Sequence, residues 1–201
     1  MAGVRQDILR AAEVIFTKRD FHEVLMEDVA QECGVGKGTL YRYFPSKRDL
    51  YLAVMFEGIE GLRDDLRAVL TRPGAPAEKI ERIARCILGH FWNRRFFFAL
   101  IHRNEHKPED PEGREWMRRR TEIVDIVQRA LEEGVRAGHM RDIDPRIAAE
   151  MLLGMLRGVN RYRSRHDTLA ELVAGVVDIF WWGAAAAPAR MQGHDGEKRR
   201  R

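Results

Sequence analysis

Four basic side chains and no acidic one lie between positions 34 and 48 of this 201-residue sequence: Lys37, Arg42, Lys47 and Arg48. Elsewhere in the first fifty residues, Asp and Glu are frequent enough to balance the bases. The positive charge is therefore local, as neutralisation of nucleic-acid phosphates requires. The chemistry that these residue types favour is binding of a phosphate backbone.

A second group could do metal chemistry. His102, Glu105 and His106 form an H-x-x-E-H pattern, in which the two imidazoles could share a zinc ion and the carboxylate could act as a base. No third ligand is evident, and so short a pattern arises easily by chance. The sequence also lacks a Ser-His-Asp elbow, a phosphate-cradling loop and a dinucleotide fingerprint. We expect no enzyme activity, no cofactor and no metal; a zinc-dependent hydrolase remains an alternative.

The basic residues need an element that presents them. Positions 37–44 predict a short helix in which Leu40 and Phe44 share one face, while Gly38, Thr39 and Arg42 point the other way. Small, hydroxyl and guanidinium groups suit base edges in the major groove, and tyrosine hydroxyls and lysine ammoniums suit phosphates. The residues that we expect to contact DNA are Lys37, Gly38, Thr39, Tyr41, Arg42, Tyr43 and Lys47.

A second short helix, predicted at positions 26–33, precedes this one across a tight turn in which Gly34 can adopt a left-handed conformation. Two short helices joined in this way are typical of a helix-turn-helix motif. Residues 29–47, VAQECGVGKGTLYRYFPSK, resemble the DNA-binding signature of the TetR (tetracycline repressor) family. The resemblance extends over about residues 5–55.

The resemblance implies a homodimer that places two recognition helices in successive major grooves of a near-palindromic operator. It also implies that the C-terminal helices bind a small-molecule effector and form the dimer. Three positions depart from the family pattern: a glycine usually stands at Asp20 or Phe21, a Thr or Ser usually caps the second helix at Leu25, and Gly36 replaces a frequent Ser or Ala. Glu27, near the start of the second helix, would also repel a phosphate. A helical protein-interaction module without DNA affinity remains a further alternative.

The rest of the chain also predicts helices, and the expected class is all-α. Helix signals include N-cap patterns at Ser46, Asp144 and Thr168 and a break at 72–76. The nine predicted helices span 5–18, 26–33, 37–44, 46–70, 77–92, 94–107, 112–137, 145–163 and 168–187. We expect a DNA-binding domain at 1–50, an effector-binding and dimerisation domain at 51–188 and a disordered basic tail at 189–201.

The middle and C-terminal helices carry the remaining predictions. Aromatic side chains suit a small-molecule pocket as well as a core, and the predicted pocket residues are Phe91, Trp92, Phe97 and Trp116. Apolar stripes with small residues suit dimerisation or intramolecular packing, and the predicted dimer residues are Met151, Gly154, Met155, Gly158, Val173, Val176 and Phe180. An effector would act by preferring a dimer whose recognition helices are wrongly spaced for DNA, with the helix from Ser46 as the lever.

Composition narrows the class further. Hydrophobic residues make up 45% and charged residues 33%, which is typical of a globular domain, and the net charge is +4. Two cysteines provide no disulfide framework, and the N-terminus has no apolar signal core, so we expect a cytoplasmic protein. The longest apolar run, Ile179 to Ala187, is too short to span a membrane.

Overall fold

A computed structural model describes residues 2–92 and 110–184. Its regular secondary structure is helical, which confirms the all-α prediction. The eight described helices are α1 Ala2–Lys18, α2 Met26–Glu32, α3 Lys37–Tyr43, α4 Lys47–Leu70, α5 Pro76–Trp92, α6 Pro111–Arg136, α7 Pro145–Tyr162 and α8 Leu169–Ala184. The helix predicted at 94–107 and the tail at 189–201 lie outside the described residues.

Side-chain caps begin three of these helices where the sequence predicts them. The Ser46 hydroxyl accepts a hydrogen bond from the Asp49 N–H at 3.1 Å. The Asp144 carboxylate accepts from two backbone N–H groups at the start of α7. Thr168 and Glu171 form a reciprocal capping box, in which each side chain accepts from the other's backbone N–H. These bonds satisfy N–H groups that the helix itself leaves without partners.

The long helix α4 is the central element. It packs against α1 on the N-terminal side and against α5 and α6 further along. Its buried residues recur at helical spacing, as shown by Met55, Ile59, Leu62 and Leu66. Two more extensive contacts, α5 with α8 and α6 with α7, complete the C-terminal bundle. One helix therefore belongs both to the N-terminal unit and to the bundle.

Candidate nucleic-acid interface and effector cavity

The turn between α2 and α3 has the geometry that its sequence predicts. Gly34 adopts φ +69°, a left-handed conformation that costs little without a Cβ atom. The N–H of Gly34 donates to the Gln31 carbonyl at 3.2 Å, and the N–H of Val35 donates to the Ala30 carbonyl at 3.0 Å. These bonds close the end of α2 and direct the chain into α3. The result is a helix-turn-helix.

Helix α3 is held to the molecule by one face. Leu40 and the following Phe44 are buried, as predicted. On the other side, Gly38, Tyr41 and Arg42 are exposed, while Thr39 and Tyr43 are half-buried. The guanidinium of Arg42 lies 5.6 Å from the centre of the Tyr43 ring. Since α3 is anchored from one side, its opposite side is open to a groove of DNA.

Lys37, at the start of α3, is not a free cation. Its ammonium lies 2.5 Å from a carboxylate oxygen of Glu27 on α2, and both side chains are exposed. The hydrogen bond between them lowers the pKa of Glu27 and raises the pKa of Lys37. We expected Glu27 only to repel phosphates. The structure shows that it also forms an ion pair with Lys37.

The side chain of Lys47 forms contacts within the molecule. Its ammonium donates to the carbonyls of Phe21 at 2.7 Å and Val24 at 2.9 Å, and it lies 4.5 Å from the centre of the Phe21 ring. We predicted that Lys47 reaches a DNA phosphate. In this structure its side chain instead turns back onto the loop between α1 and α2, because those carbonyls lack helical partners. In this structure Lys47 ties this loop to the start of α4. Its contact with a DNA phosphate stays a prediction.

Ion pairs connect α4 to α6. The Arg48 guanidinium lies 2.6 Å from the Glu112 carboxylate, close to the start of both helices. Further along, the largely buried Arg119 donates to the Phe56 carbonyl at 2.9 Å and to Glu60 at 2.6 Å. A displacement of α6 would therefore pull on the helix that follows α3 directly.

A cavity of about 120 Å³ lies where α4, α5, α6 and α7 meet. Phe91 and Trp116 line it, in the positions that the sequence predicts. Trp92 does not line it; the guanidinium of Arg163 lies 3.9 Å from the centre of the Trp92 ring. Phe97 lies outside the described residues. The wall is mostly apolar, as in small-molecule sites.

Four polar side chains interrupt this wall: Arg120, Glu150, Arg157 and Asn160. Arg120 donates to both carboxylate oxygens of Glu150, at 3.0 and 2.5 Å. This pairing lowers the pKa of Glu150. Asn160 is only 2% exposed, and neither its amide oxygen nor its amide nitrogen has a hydrogen-bond partner among residues 2–92 and 110–184. A buried amide without partners is costly, so it marks a place where a ligand could bind.

Two family models match this chain and identify its family. A family model for bacterial regulatory proteins of the tetR family matches residues 8–54. A second, for the tetracyclin repressor-like C-terminal domain, matches residues 73–175. The chain belongs to the tetR family. It is a DNA-binding transcriptional regulator with a ligand-binding domain, as the sequence predicts, and the hydrolase and interaction-module alternatives are not favoured.

Individual relatives of this TetR-family regulator are also transcriptional regulators. The HTH-type transcriptional activator FasR of Mycolicibacterium smegmatis is 25% identical over 189 residues, 92% of this chain and 84% of that protein. The fatty acid metabolism regulator protein of Bacillus subtilis is 24% identical over 175 residues, 83% and 87% of the two chains. The solved structure of a TetR/AcrR-family regulator from Thermobifida fusca is similar with a TM-score of 0.76 and 25% identity, covering 89% of this chain and 97% of that one.

The last two helices of this TetR-family regulator contradict part of the predicted dimer surface. Val173, Val176 and Phe180 are buried within the chain, on the side of α8 that packs towards α5. The exposed apolar side chains of α8 are instead Ile179, at 67%, and Trp182, at 72%. Both sides of α8 are apolar, so the sequence stripe did not reveal which one the bundle covers.

On α7 the predicted dimer residues are more accessible. Met151 is 61% exposed, while Gly154, Met155 and Gly158 are half-buried. A Cβ atom added at Gly154 or Gly158 would meet nothing within 4 Å among the described residues. Packing within the described chain therefore does not require glycine at either position. Tyr162, at 80% exposure, extends the same helix.

The sequence interpretation missed Asn160, Arg120 and Glu150 in the cavity of this TetR-family regulator. A signal for Asn160 was present: it continues the apolar series of Leu152 and Leu156 at intervals of four, so a polar side chain falls on a buried face. The pairing of Arg120 with Glu150 joins positions 30 residues apart and left no local pattern.

The remaining predictions concern metals and membranes. The His102, Glu105 and His106 pattern lies outside the described residues. Over residues 2–92 and 110–184, no group of three or more His, Cys, Asp or Glu is placed to hold a metal ion. No described helix combines the length and apolarity that crossing a bilayer requires.

Proposed function

We propose that the protein is a homodimeric repressor that binds a near-palindromic operator through α3 and is released by a small-molecule effector. The observation that carries this proposal is the one-sided anchoring of α3: Leu40 and Phe44 are buried while Gly38, Tyr41 and Arg42 are exposed. A recognition helix needs both conditions, a fixed position and a free face.

Within this proposal, the exposed and half-buried residues of α3 contact different parts of the DNA. The Arg42 guanidinium suits bidentate pairing with guanine, and the Thr39 methyl group suits contact with thymine. Gly38 allows close approach of the backbone because it has no side chain. No side chain of another described residue lies within 4 Å of the position that a Cβ atom would take. The hydroxyls of Tyr41 and Tyr43 suit phosphates. Residues 1–50 form the DNA-binding unit, and 51–188 the effector-binding and dimerisation unit.

The dimer surface that we propose combines Met151 and the half-buried glycines of α7 with Ile179 and Trp182 of α8. Large exposed apolar side chains on adjacent helices support a protein contact, since monomers rarely expose a continuous apolar patch. A two-fold axis would pair α7 and α8 with their copies as a four-helix bundle. This arrangement would hold the two α3 helices at one separation.

The cavity supports an effector with an apolar body. One relative is named a fatty acid metabolism regulator protein, and its name agrees with an apolar lining. We propose an amphipathic effector with an acyl-type chain. Trp116 and Arg120 of α6 line the cavity, whereas Arg119 of the same helix holds α4. A ligand that moves α6 would thus change the spacing of the recognition helices, provided that it prefers that state.

The test is binding of the purified protein to the duplex upstream of its own coding sequence, measured by fluorescence anisotropy. Arg42→Ala should weaken binding about tenfold to hundredfold, as expected for loss of a bidentate base contact. Arg85→Ala is the matched control, because Arg85 is an exposed arginine on α5. If the parent shows no salt-dependent binding, the regulator mechanism is wrong. If both variants bind equally well, the assignment of α3 is wrong.

A further inference from the structure

The side-chain amide of Asn160 is the most unusual polar group in the described part of the molecule. It lies on α7, lines the cavity and is 2% exposed. Its Oδ1 and Nδ2 atoms have no hydrogen-bond partner among the described residues. Burial of such a group without compensation is destabilising, because water satisfies the amide in the unfolded chain. A ligand that supplies both a donor and an acceptor would remove this cost.

The surroundings of Asn160 disfavour a charged ligand group at that depth. Leu153, Leu156 and Phe91 contribute apolar wall. The guanidinium of Arg120 is already bound by both carboxylate oxygens of Glu150. A carboxylate beside Asn160 would therefore lose its hydration without gaining a free cation there, and it cannot donate a hydrogen bond to Oδ1.

One further cation, Arg157, lines the cavity but is exposed to solvent. It lies about one helical turn before Asn160 on α7. A negatively charged end of a ligand would pair with Arg157 in high-dielectric surroundings. The part of the ligand beside Asn160 would then be uncharged.

From this arrangement, and resting on the proposed effector site, we infer that the cavity selects a ligand with a neutral amide-type group and a short apolar chain. The amide-type group pairs with the side-chain amide of Asn160, and the apolar chain packs against the apolar wall. An amide matches Asn160 atom for atom, since its N–H donates to Oδ1 and its carbonyl accepts from Nδ2. An apolar cavity of 150 Å³ holds benzene, which has six non-hydrogen atoms, so a volume of about 120 Å³ suits about five non-hydrogen atoms.

Three probes of about five non-hydrogen atoms test this inference by isothermal titration calorimetry at about pH 7.5: propanamide, methyl acetate and propanoate. Propanamide donates and accepts, methyl acetate only accepts, and propanoate is charged. In the parent protein, propanamide should bind about tenfold more tightly than either of the others. Asn160→Leu, which keeps the branched shape of the side chain but removes its donor and acceptor, should reduce the ratio of amide to ester affinity to about one. Leu153→Met, a control in the apolar wall, should preserve the ranking.

The inference is overturned if the parent binds the three probes equally, if it binds none of them, or if Asn160→Leu retains the preference for the amide. Should Asn160→Leu fail to fold, the ranking of the probes in the parent still decides. DNA binding by the parent is measured separately and without probe. A failure there contradicts the proposed function, whereas a failure of the ranking with intact DNA binding contradicts only the ligand chemistry at Asn160.

Discussion

Glu27→Gln should strengthen binding to DNA by releasing Lys37. In the structure, the Lys37 ammonium lies 2.5 Å from the Glu27 carboxylate, so the cation at the start of the recognition helix is already paired. The pair persists at neutral pH because the hydrogen bond to Lys37 lowers the pKa of Glu27. Glutamine keeps the shape of the side chain but removes the negative charge. Lys37 can then neutralise a phosphate.

The magnitude follows from counterion release. Each phosphate neutralised on B-DNA contributes about −0.9 to the slope of log K against log salt concentration. One contact per subunit should therefore steepen the slope by about 0.9 for each subunit. Relative to 1 M salt, this is a gain of about eightfold per subunit at 0.1 M salt.

The measurement is anisotropy of a labelled duplex at several salt concentrations between 50 and 300 mM. Glu32→Gln is the matched control, because Glu32 is exposed on the same helix and has no ion pair among the described residues. It removes the same charge without releasing Lys37. Adding Lys37→Met to Glu27→Gln should abolish the gain. If the two glutamine variants have the same slope, the effect comes from net charge alone, and Lys37 does not contact a phosphate.

Three further outcomes test the turn, the dimer surface and the half-buried thiol of Cys86. Gly34→Ala should lower the free energy of unfolding in urea by about 1–2 kcal/mol, because Gly34 has φ +69°; Gly36→Ala, at φ −67°, is the control, and equal losses would refute the argument. Phe180→Ala should lower the free energy of unfolding by about 3–5 kcal/mol, because it truncates a core side chain. Trp182→Ala should instead mainly increase dimer dissociation in analytical ultracentrifugation. The reverse pattern would support the dimer surface first predicted at Val173, Val176 and Phe180. Burial raises the pKa of Cys86 to about 11, so about a thousandth of the thiol is thiolate at pH 8. Its alkylation by iodoacetamide, followed by mass spectrometry, should accelerate about tenfold per pH unit up to pH 10. Rapid labelling at pH 8 would contradict this.

The local features of this molecule were predictable from short stretches of sequence. The cap at Ser46, the left-handed turn at Gly34 and the inward face of Leu40 and Phe44 each depend on neighbours within about four positions. Helix periodicity and capping chemistry act over that distance. The helix-turn-helix was predictable for the same reason.

The faces of the C-terminal helices were not predictable in this way. The stripe of Val173, Val176 and Phe180 is apolar, but so is the side that carries Ile179 and Trp182. Periodicity identifies an apolar face only when the other face is polar. Packing against α5 decides which side is covered.

The amino-acid sequence by itself determined the helices, their ends and the motif that reads DNA, because near neighbours along the chain control those features. Only the tertiary structure decided that Lys47 binds carbonyls 23 and 26 positions away, that Arg48 meets Glu112, and that Asn160 faces a cavity without a partner. Contacts between distant positions depend on how whole helices pack, and the spacing of residue types along one helix does not contain that information.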